Sequence, residues 1–328
     1  MLNFCTLFNS VYLTRGLAMY NSLAKHCKEF HLYIFAFDDT SCSLLKKLNL
    51  VHATIISLKE FEDEILLGIK TSRTATEYCW TCTPATVSYC LDTYQLDSCI
   101  YIDADLLFFD DPIVLLKELK STDSVIITDH RYTPEYDQTA NSGKYCVQFV
   151  YFKNDEQGRK TLNWWKDSCI EWCFNRIEDN KFGDQKYLDD WCARFEGVHE
   201  LQHLGGGVAP WNIQQYELVQ QNSKVQGTSI ATGETFDLIF YHYHGLRYCE
   251  PEAFYLGSYK VTSSDLKQIY KPYVIALKTA EQQVLSVAKE TYHERIEIPR
   301  IKKSLNRIFL FNIFGHFKGY YKAKFLLK

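Results

Sequence analysis

Two aspartates in the first half of the chain have the type and spacing that a metal site requires. Asp103 and Asp105 are separated by the small residue Ala104, and they follow a run at 98–102 that predicts a buried strand. At the end of such a strand the chain turns, so both carboxylates can reach one cation. Mg²⁺ and Mn²⁺ prefer hard oxygen ligands, often a few carboxylates together with phosphate oxygens of a substrate. The Asp-x-Asp pattern alone favours a solvated pair, but the flanking strand and the later motifs favour the metal site.

A further candidate ligand lies far downstream, in the run 238–247. This run predicts a strand that ends in a His-x-His-Gly turn, and His242 can complete a metal site with the two aspartates. His244 lies on the same side of the strand and competes for that role, since side chains alternate along a strand. Arg247 can grip phosphate oxygens with its fork of donors. The alternative is a pair of hydrogen-bonded histidines at a sheet edge.

A third candidate is the pair Asp184 and Gln185, which follow Gly183. Asp184 suits the first turn of a helix, where the helix dipole favours a carboxylate, and the local sequence alone favours this capping role. The functional interpretation places both residues at the mouth of a cleft, in contact with a hydroxylated ligand. The run 203–212 contains three glycines but no Gly-Lys-Ser/Thr, so it is not a P-loop, and its Trp211 can lie beside a sugar or in the core.

The elements that would position these residues alternate between strands and helices. Strands are predicted at 3–8, 31–37, 53–57 and 98–102, and helices at 12–26, 41–48 and 77–94. This alternation predicts an α/β fold in which a parallel sheet is flanked by helices. Ligands of such sheets bind beyond the carboxyl ends of the strands. We therefore predict that Phe8, Asn9 and Tyr12, at the end of the first strand, contact a nucleotide.

The composition is that of a globular protein of 328 residues, 46% hydrophobic and 23% charged. With no linker before about residue 260, we predict a catalytic domain at 1–260 and a helical extension at 261–328. The twelve cysteines show no repeating disulfide framework, and the sequence shows no signal-peptide pattern. Together these observations predict a reduced, cytoplasmic protein. Cys79 and Cys82 have zinc spacing but no second pair, and no apolar run approaches the roughly 20 residues of a spanning helix.

The C-terminal segment is strongly basic. Residues 295–328 carry nine Lys or Arg and one acidic residue, whereas the whole chain has a net charge of −4. We predict a helix at 263–290 and, within the helical extension, a segment at 300–325 that combines cations with aromatic residues, which favours peripheral association with an anionic membrane at its inner face. A packing helix with a solvated face is the alternative. Nucleic acid is disfavoured as a partner because the rest of the chain is acidic.

Taken in order, the motifs resemble those of nucleotide-sugar-dependent glycosyltransferases with the GT-A fold. They are similar to the family 8 type, which includes glycogenin and bacterial lipopolysaccharide galactosyl- and glucosyltransferases. The resemblance covers residues 1–250 and rests on Tyr-Ile-Asp-Ala-Asp-Leu-Leu-Phe, Gly-Asp-Gln-x-x-Leu, Ala-Pro-Trp-Asn and His-Tyr-His-Gly. It implies a Rossmann-like mixed sheet flanked by helices, here followed by the basic helical tail.

The resemblance also implies a role for each candidate residue. Asp103, Asp105 and His242 would hold Mn²⁺ or Mg²⁺ on the diphosphate of the donor, a nucleotide sugar such as a UDP-sugar. Asp184 and Gln185 would face the transferred sugar and the acceptor. Further contacts with the donor are implied at Phe8, Asn9, Tyr12, Ala104, Gln148, Gly245 and Arg247.

The chain departs from the family pattern at two places. A lysine and Pro-Trp usually follow the glycine that corresponds to Gly245, where this chain has the run Arg247-Tyr248-Cys249. Related chains show an Asn-containing turn near the donor sugar, and Gln148 stands there instead. The first departure bears on the phosphate contact, and the second on the choice of sugar.

The implied reaction moves a hexose to a glycan or lipid-linked acceptor, with retention of configuration, in cell-surface polysaccharide or lipopolysaccharide synthesis. The metal would act as a Lewis acid on the departing nucleoside diphosphate. Two alternatives remain open. A metal-dependent nucleotidyltransferase or phosphohydrolase would be recognised by its products, pyrophosphate rather than a nucleoside diphosphate. A non-catalytic sugar-nucleotide-binding protein would bind donors without turnover.

Overall fold

The structure of the chain is a computed structural model that describes residues 1–250, 252–298 and 315–328. Its strands, in chain order, are β1 (Leu2–Phe8), β2 (Phe30–Ala36), β3 (Ala53–Ser57), β4 (Ser98–Ile102), β5 (Leu106–Phe108), β6 (Val125–Asp129), β7 (Tyr145–Lys153), β8 (Val198–Glu200), β9 (Gly206–Val208), β10 (Tyr216–Gln221), β11 (Lys224–Ser229), β12 (Thr235–Asp237), β13 (Phe240–His242), β14 (Arg247–Glu250), β15 (Ala253–Tyr255), β16 (Arg295–Glu297), β17 (His316–Phe317) and β18 (Tyr320–Lys322).

The helices, in chain order, are α1 (Leu13–His26), α2 (Asp39–Leu48), α3 (Leu58–Phe61), α4 (Glu64–Lys70), α5 (Ala75–Thr93), α6 (Ile113–Leu116), α7 (Thr139–Ser142), α8 (Glu156–Glu171), α9 (Trp191–Arg194), α10 (Ser263–Asp265), α11 (Lys271–Val287) and α12 (Ala323–Leu326). Single 3₁₀ segments lie at Ser10–Tyr12, Pro134–Tyr136, Lys186–Asp190 and Ile213–Gln215, and a π turn at Leu266–Tyr270 joins α10 to α11.

A seven-stranded mixed sheet forms the centre of the protein, in the order β3-β2-β1-β4-β7-β6-β8. The strands β1 to β4 are parallel, whereas β7 runs antiparallel to both β4 and β6. Parallel strands are covered on both faces, which is why their sequences are nearly continuous apolar runs. The predicted mixed sheet flanked by helices is confirmed, and the first four predicted strands agree with the observed bounds to within one residue.

Two hydrophobic layers cover the faces of this sheet. On one face, α1 and α11 pack through residues such as Leu17 and Leu277 against Phe4 of β1. On the other face, α5 and α8 pack through residues such as Val87 and Trp165. The two layers fix the sheet edge at which β1 and β4 end, and the polar candidate residues follow those ends.

A smaller three-stranded sheet has the order β5-β13-β9, and only three residues separate the end of β4 from the start of β5. In this sheet β5 runs antiparallel to β13 with Leu106 opposite His242, and β13 runs parallel to β9. The pairing joins two parts of the chain that are more than 130 residues apart. It therefore sets the distance between the aspartates after β4 and the histidine that ends β13.

The C-terminal segment, with its basic range 300–325, differs in part from the predicted helical extension. Of that range, 300–314 lies outside the described residues, and 315–322 contains the hairpin of β17 and β18, which pairs with β15. Lys318 and Gly319 both have positive φ, 45° and 79°, and such two-residue turns favour a hairpin over a helix. The division into domains at residue 260 stays a prediction. Within the described residues, no helix has the length and hydropathy needed to cross a bilayer.

Candidate active site

The structure brings together Asp103, Asp105 and His242. The Nε2 atom of His242 lies 3.1 Å from Oδ1 of Asp105 and 3.7 Å from Oδ2 of Asp103. One potential ligand atom from each residue falls within 4.8 Å of the others. The three side chains thus surround a single point, as the sequence predicts. We call this group the cation end of the cleft.

Backbone hydrogen bonds hold the cation end in place. The amide of Asp103 donates to the carbonyl of Gln148 on β7 at 3.1 Å, and the amide of Tyr243 donates to the carbonyl of Asp105 at 3.0 Å. The hydroxyl of Tyr101 donates to Oδ1 of Asp103 at 3.1 Å. The turn at 103–105 is therefore fixed to the central sheet on one side and to β13 on the other.

The charges of the cation end depend on one another. Burial raises the pKa of Asp103 to about 6. Burial would also raise that of Asp105, but the adjacent His242 ring lowers the pKa of Asp105 to about 2. Burial disfavours the charged imidazole, yet Asp105 raises the pKa of His242 well above its ordinary value. Without a metal, a proton on His242 compensates the carboxylates, and a cation bound at Nε2 would take its place.

The competing residue His244 lies outside this trio. Its side chain is exposed, and its ring centroid is 5.7 Å from that of His242. The indole of Trp211 lies nearly perpendicular to the His242 ring, with 5.4 Å between the ring centroids. Its Nε1 donates to the carbonyl of His130 at 2.9 Å. Trp211 is 4% exposed and lines the cleft, so it is part of the core at the cleft wall, and its place beside a sugar stays a prediction.

A cleft of about 670 Å³ opens over the cation end. Most of the candidate residues line it, which places the β1 loop, the aspartate turn and the His-x-His-Gly loop around one space. The predicted residues that line the cleft are Phe8, Asn9, Tyr12, Asp103, Ala104, Asp105, Asp184, Gln185, His242, His244 and Arg247.

Two candidate residues do not line the cleft. Gln148 is fully buried beneath it, and neither atom of its side-chain amide has a partner among the described residues; the nearby Cys146 lines the cleft instead. Gly245 is exposed in the loop after His244 and has a φ of +76°, which L-residues rarely adopt. The predicted donor contacts of Gln148 and Gly245 therefore do not follow from this geometry. Gln148 supports Asp103 through its backbone.

Asp184 is held by its neighbours rather than by a helix cap. Gly183 has a φ of +53°, and a Cβ there would lie 3.2 Å from the indole of Trp80. The carbonyl of Asp184 accepts a hydrogen bond from Nε1 of Trp165 at 2.9 Å. The 3₁₀ segment that follows begins after Gln185 without a side-chain cap, so the capping interpretation is wrong. Burial, with the charge of Asp103 adding to it, raises the pKa of Asp184 to about 7.

Gln185 connects two segments of the cleft wall. Its Nε2 donates to the carbonyl of Ser142 at 2.7 Å, which joins the segment after Gly183 to α7. Gln185 is partly exposed and lines the cleft. The predicted contact of Gln185 with sugar or acceptor stays a prediction.

Sequence reasoning did not identify Arg15 as part of the site. Its guanidinium is buried in α1, donates to the carbonyl of Leu246 at 3.0 Å and lies 4.4 Å from the centre of the Tyr12 ring. It thereby joins the β1 loop to the loop that carries His244. The signal available in the sequence was an arginine near the start of a predicted helix, but its partner lies 231 residues away along the chain.

Comparison with known proteins gives relatives and a fold. No model of a known protein family matches the chain. The uncharacterized protein YfnD of Bacillus subtilis (strain 168) is 33% identical over 285 residues, which cover 84% of this chain and 88% of YfnD. The uncharacterized protein YfnF of the same organism is 28% identical over 251 residues, covering 74% and 81% of the two chains.

Among solved structures, the galactosyltransferase LgtC in complex with donor and acceptor sugar analogues is similar with a TM-score of 0.51. The similarity covers 85% of this chain and 96% of that chain, at 12% identity. At this identity the likeness concerns the fold alone. The chain therefore belongs to the same protein family as YfnD, and its fold is the GT-A fold of glycosyltransferases.

Proposed function

We propose that this protein is a metal-dependent glycosyltransferase of the family 8 type. It transfers a hexose from a nucleotide-diphosphate sugar, in our proposal a UDP-sugar, to a glycan or lipid-linked acceptor. The observation that carries the proposal is the convergence of two carboxylates and an imidazole at the floor of a cleft in a GT-A fold. A cleft of about 670 Å³ has room for a nucleotide sugar and the end of an acceptor.

The residues present at the cation end fit a divalent metal. Carboxylate oxygens and an imidazole nitrogen suit Mn²⁺, and Mg²⁺ accepts the same carboxylates. Asp103 and Asp105 are only 28% and 13% exposed and lie close to each other, which is unfavourable for two carboxylates unless a positive charge is near. When bound, the metal would supply Lewis-acid stabilisation of the departing diphosphate.

The residues of the chain have separate tasks in this proposal. Asp103, Asp105 and His242 bind the cation and so position the diphosphate. Arg247, an exposed cation at the mouth of the cleft, contacts phosphate oxygens in place of the lysine that the family usually has. Asp184, which is 5% exposed, accepts hydrogen bonds from hydroxyls of the sugar or acceptor and fixes their orientation.

We further propose retention of configuration and a role in cell-surface polysaccharide or lipopolysaccharide synthesis, as the family resemblance implies. The anomeric configuration of the product, read by NMR, tests the first of these. The basic C-terminal segment supports peripheral association with an anionic inner membrane surface. Sedimentation with phosphatidylglycerol vesicles at low and high salt tests that proposal, and equal sedimentation with neutral phosphatidylcholine vesicles would contradict it.

One experiment tests the function as a whole. The protein is screened by thermal shift against nucleotide sugars with Mn²⁺, and the donor that stabilises it most is then incubated with and without a glycan acceptor. A glycosyltransferase releases a nucleoside diphosphate, and the release stops in excess chelator. Pyrophosphate as the product would favour a nucleotidyltransferase or phosphohydrolase, and binding without turnover across the panel would favour a non-catalytic binding protein.

A further inference from the structure

We propose that the part of the cleft around Trp80 and Asp184 binds a neutral pyranose ring of the acceptor, with Trp80 as its stacking platform. This inference rests on the proposed function and names the acceptor class of that same site. We call the group Trp80, Phe182, Gly183 and Asp184 the outer end of the cleft. All four residues line the cleft.

Trp80 is placed next to the carboxylate that would orient the acceptor. It lies on α5, is partly exposed and faces the cleft, while Gly183 packs against its six-membered ring. Its ring centroid is 6.0 Å from that of Phe182. Gly183 is followed directly by Asp184, so an indole surface and a carboxylate adjoin each other. A sugar that rests its apolar ring face on the indole can present a hydroxyl to the carboxylate.

The other side chains around this space suit hydroxyl groups. Asn175 and Gln138 offer amides, and Thr76 and Ser142 offer hydroxyls, all of them lining the same cleft. These groups donate and accept hydrogen bonds without carrying a charge, as the hydroxyls of a sugar require. A lipid tail would leave them unpaired, so the chemistry of the lining favours a hydroxylated ring.

The charges of the cleft exclude a phosphorylated acceptor group. Among the described residues that line the cleft, Arg247 is the single Arg or Lys, and in the proposed function it contacts the donor phosphates. The acidic residues of the lining are Asp103, Asp105 and Asp184. A phosphate at the outer end would lie beside Asp184, and no Lys or Arg of the described lining would be free to pair with it, which disfavours a phosphate there.

The test measures transfer from the UDP-sugar chosen by thermal shift, with Mn²⁺, to a panel of methyl pyranosides and the matching sugar 1-phosphates. Wild type is compared with Trp80→Leu and with Trp164→Leu, which removes an indole that packs on Tyr187 and Phe195 away from the cleft. We expect Trp80→Leu to raise the acceptor KM about tenfold while kcat changes less, and Trp164→Leu to leave that KM unchanged. Titration with UDP and Mn²⁺ checks that both variants are folded.

Two results would overturn the inference alone: an unchanged acceptor KM in a Trp80→Leu variant that binds UDP normally, or a wild type that prefers the sugar 1-phosphates to the methyl pyranosides. If wild type transfers sugar to no acceptor and releases no nucleoside diphosphate, the proposed function fails, and the inference fails with it. If Trp80→Leu no longer binds UDP, Trp80→Phe is compared with wild type instead. An acceptor KM within about twofold of wild type supports the stacking role, because the phenyl ring still offers an aromatic face. An acceptor KM in Trp80→Phe raised about tenfold or more would overturn it.

Discussion

The two ends of the cleft are built in different ways. At the cation end, backbone pairing determines where the ligands lie, because the register of β5 against β13 places His242 opposite Leu106, next to the aspartate turn. At the outer end, Asp184 depends on one left-handed glycine, on packing against Trp80 and on one indole hydrogen bond from Trp165. Sheet register therefore fixes the positions of the metal ligands, whereas a single side-chain substitution can change the position of Asp184 at the outer end.

The largest effect is expected at the cation end. Asp105→Ala leaves the register of β5 intact but removes the partner of the buried His242 ring, so we expect transfer to fall about 10³-fold. The stabilisation of the protein by Mn²⁺ with UDP should be lost as well. The matched control is Asp190→Asn, which removes a carboxylate from an exposed pair with Arg194. Equal transfer activity of Asp105→Ala and the control would contradict the role of Asp105 at the cation end.

The outer end should respond to pH in a way that the metal-free protein reveals. The pKa of Asp184 is raised to about 7, so the folded state keeps a proton that the unfolded state loses near pH 4. The free energy of unfolding therefore falls as pH rises from about 4 to about 7. Asp184→Asn removes this loss and should raise the free energy of unfolding at pH 8 by on the order of 4 kcal/mol.

Urea unfolding of both proteins in chelator, from pH 5 to pH 8, checks this expectation. The difference between Asp184→Asn and wild type should shrink steadily as the pH is lowered. A difference that is constant across this range, or a variant that is less stable at pH 8, would show that the carboxyl is not buried as described.

The contact between the β1 loop and the His-x-His-Gly loop lies near the cation end, yet it depends on a side chain rather than on backbone pairing. Arg15→Lys keeps the charge but loses the fork that reaches the carbonyl of Leu246. We expect a loss of stability of about 1–2 kcal/mol and a donor KM raised about tenfold, with a smaller change in kcat. Arg194→Lys, in an exposed pair, is the control, and an unchanged donor KM in Arg15→Lys would contradict the role of this contact.

The smallest effect is expected where a ring supports His242 without binding the cation. Trp211→Phe keeps an aromatic ring beside His242 but loses the hydrogen bond to the carbonyl of His130, which costs about 1 kcal/mol of stability. The affinity for Mn²⁺ should change less than about threefold. Isothermal titration measures it, and a loss of Mn²⁺ binding as complete as in Asp105→Ala would mean that Trp211 belongs to the cation end.

The cation end could be predicted from the sequence better than the outer end, and the reason is physical. A buried strand followed by Asp103 and Asp105 is a local signal, and the predicted strand that ends in the His-x-His-Gly turn with His242 is another. The capping role that the local sequence favoured for Asp184 was wrong, because a left-handed glycine and contacts with α5 and α8 decide its position. The contact of Arg15 with Leu246 has no local signal, since it exists only after the chain has folded.

The C-terminal segment shows the same limit. A helical extension was predicted for this part of the chain, but within 315–322 two residues with positive φ direct the chain into a hairpin. The strand β18 then finds its partner in β15, more than 60 residues earlier. Pattern reasoning identified the basic composition of this segment, whereas its pairing depends on β15, which lies far outside any local stretch of sequence.

The central claim is that Asp103, Asp105 and His242 hold one divalent cation against the diphosphate of a nucleotide sugar. An electron paramagnetic resonance titration of free Mn²⁺ in the presence of UDP tests it most directly, with wild type and His242→Ala compared at the same protein concentration. We predict one tightly bound Mn²⁺ per wild-type chain and at least about tenfold weaker binding in the variant. Equal Mn²⁺ binding by the two proteins, or none by either, would contradict the claim.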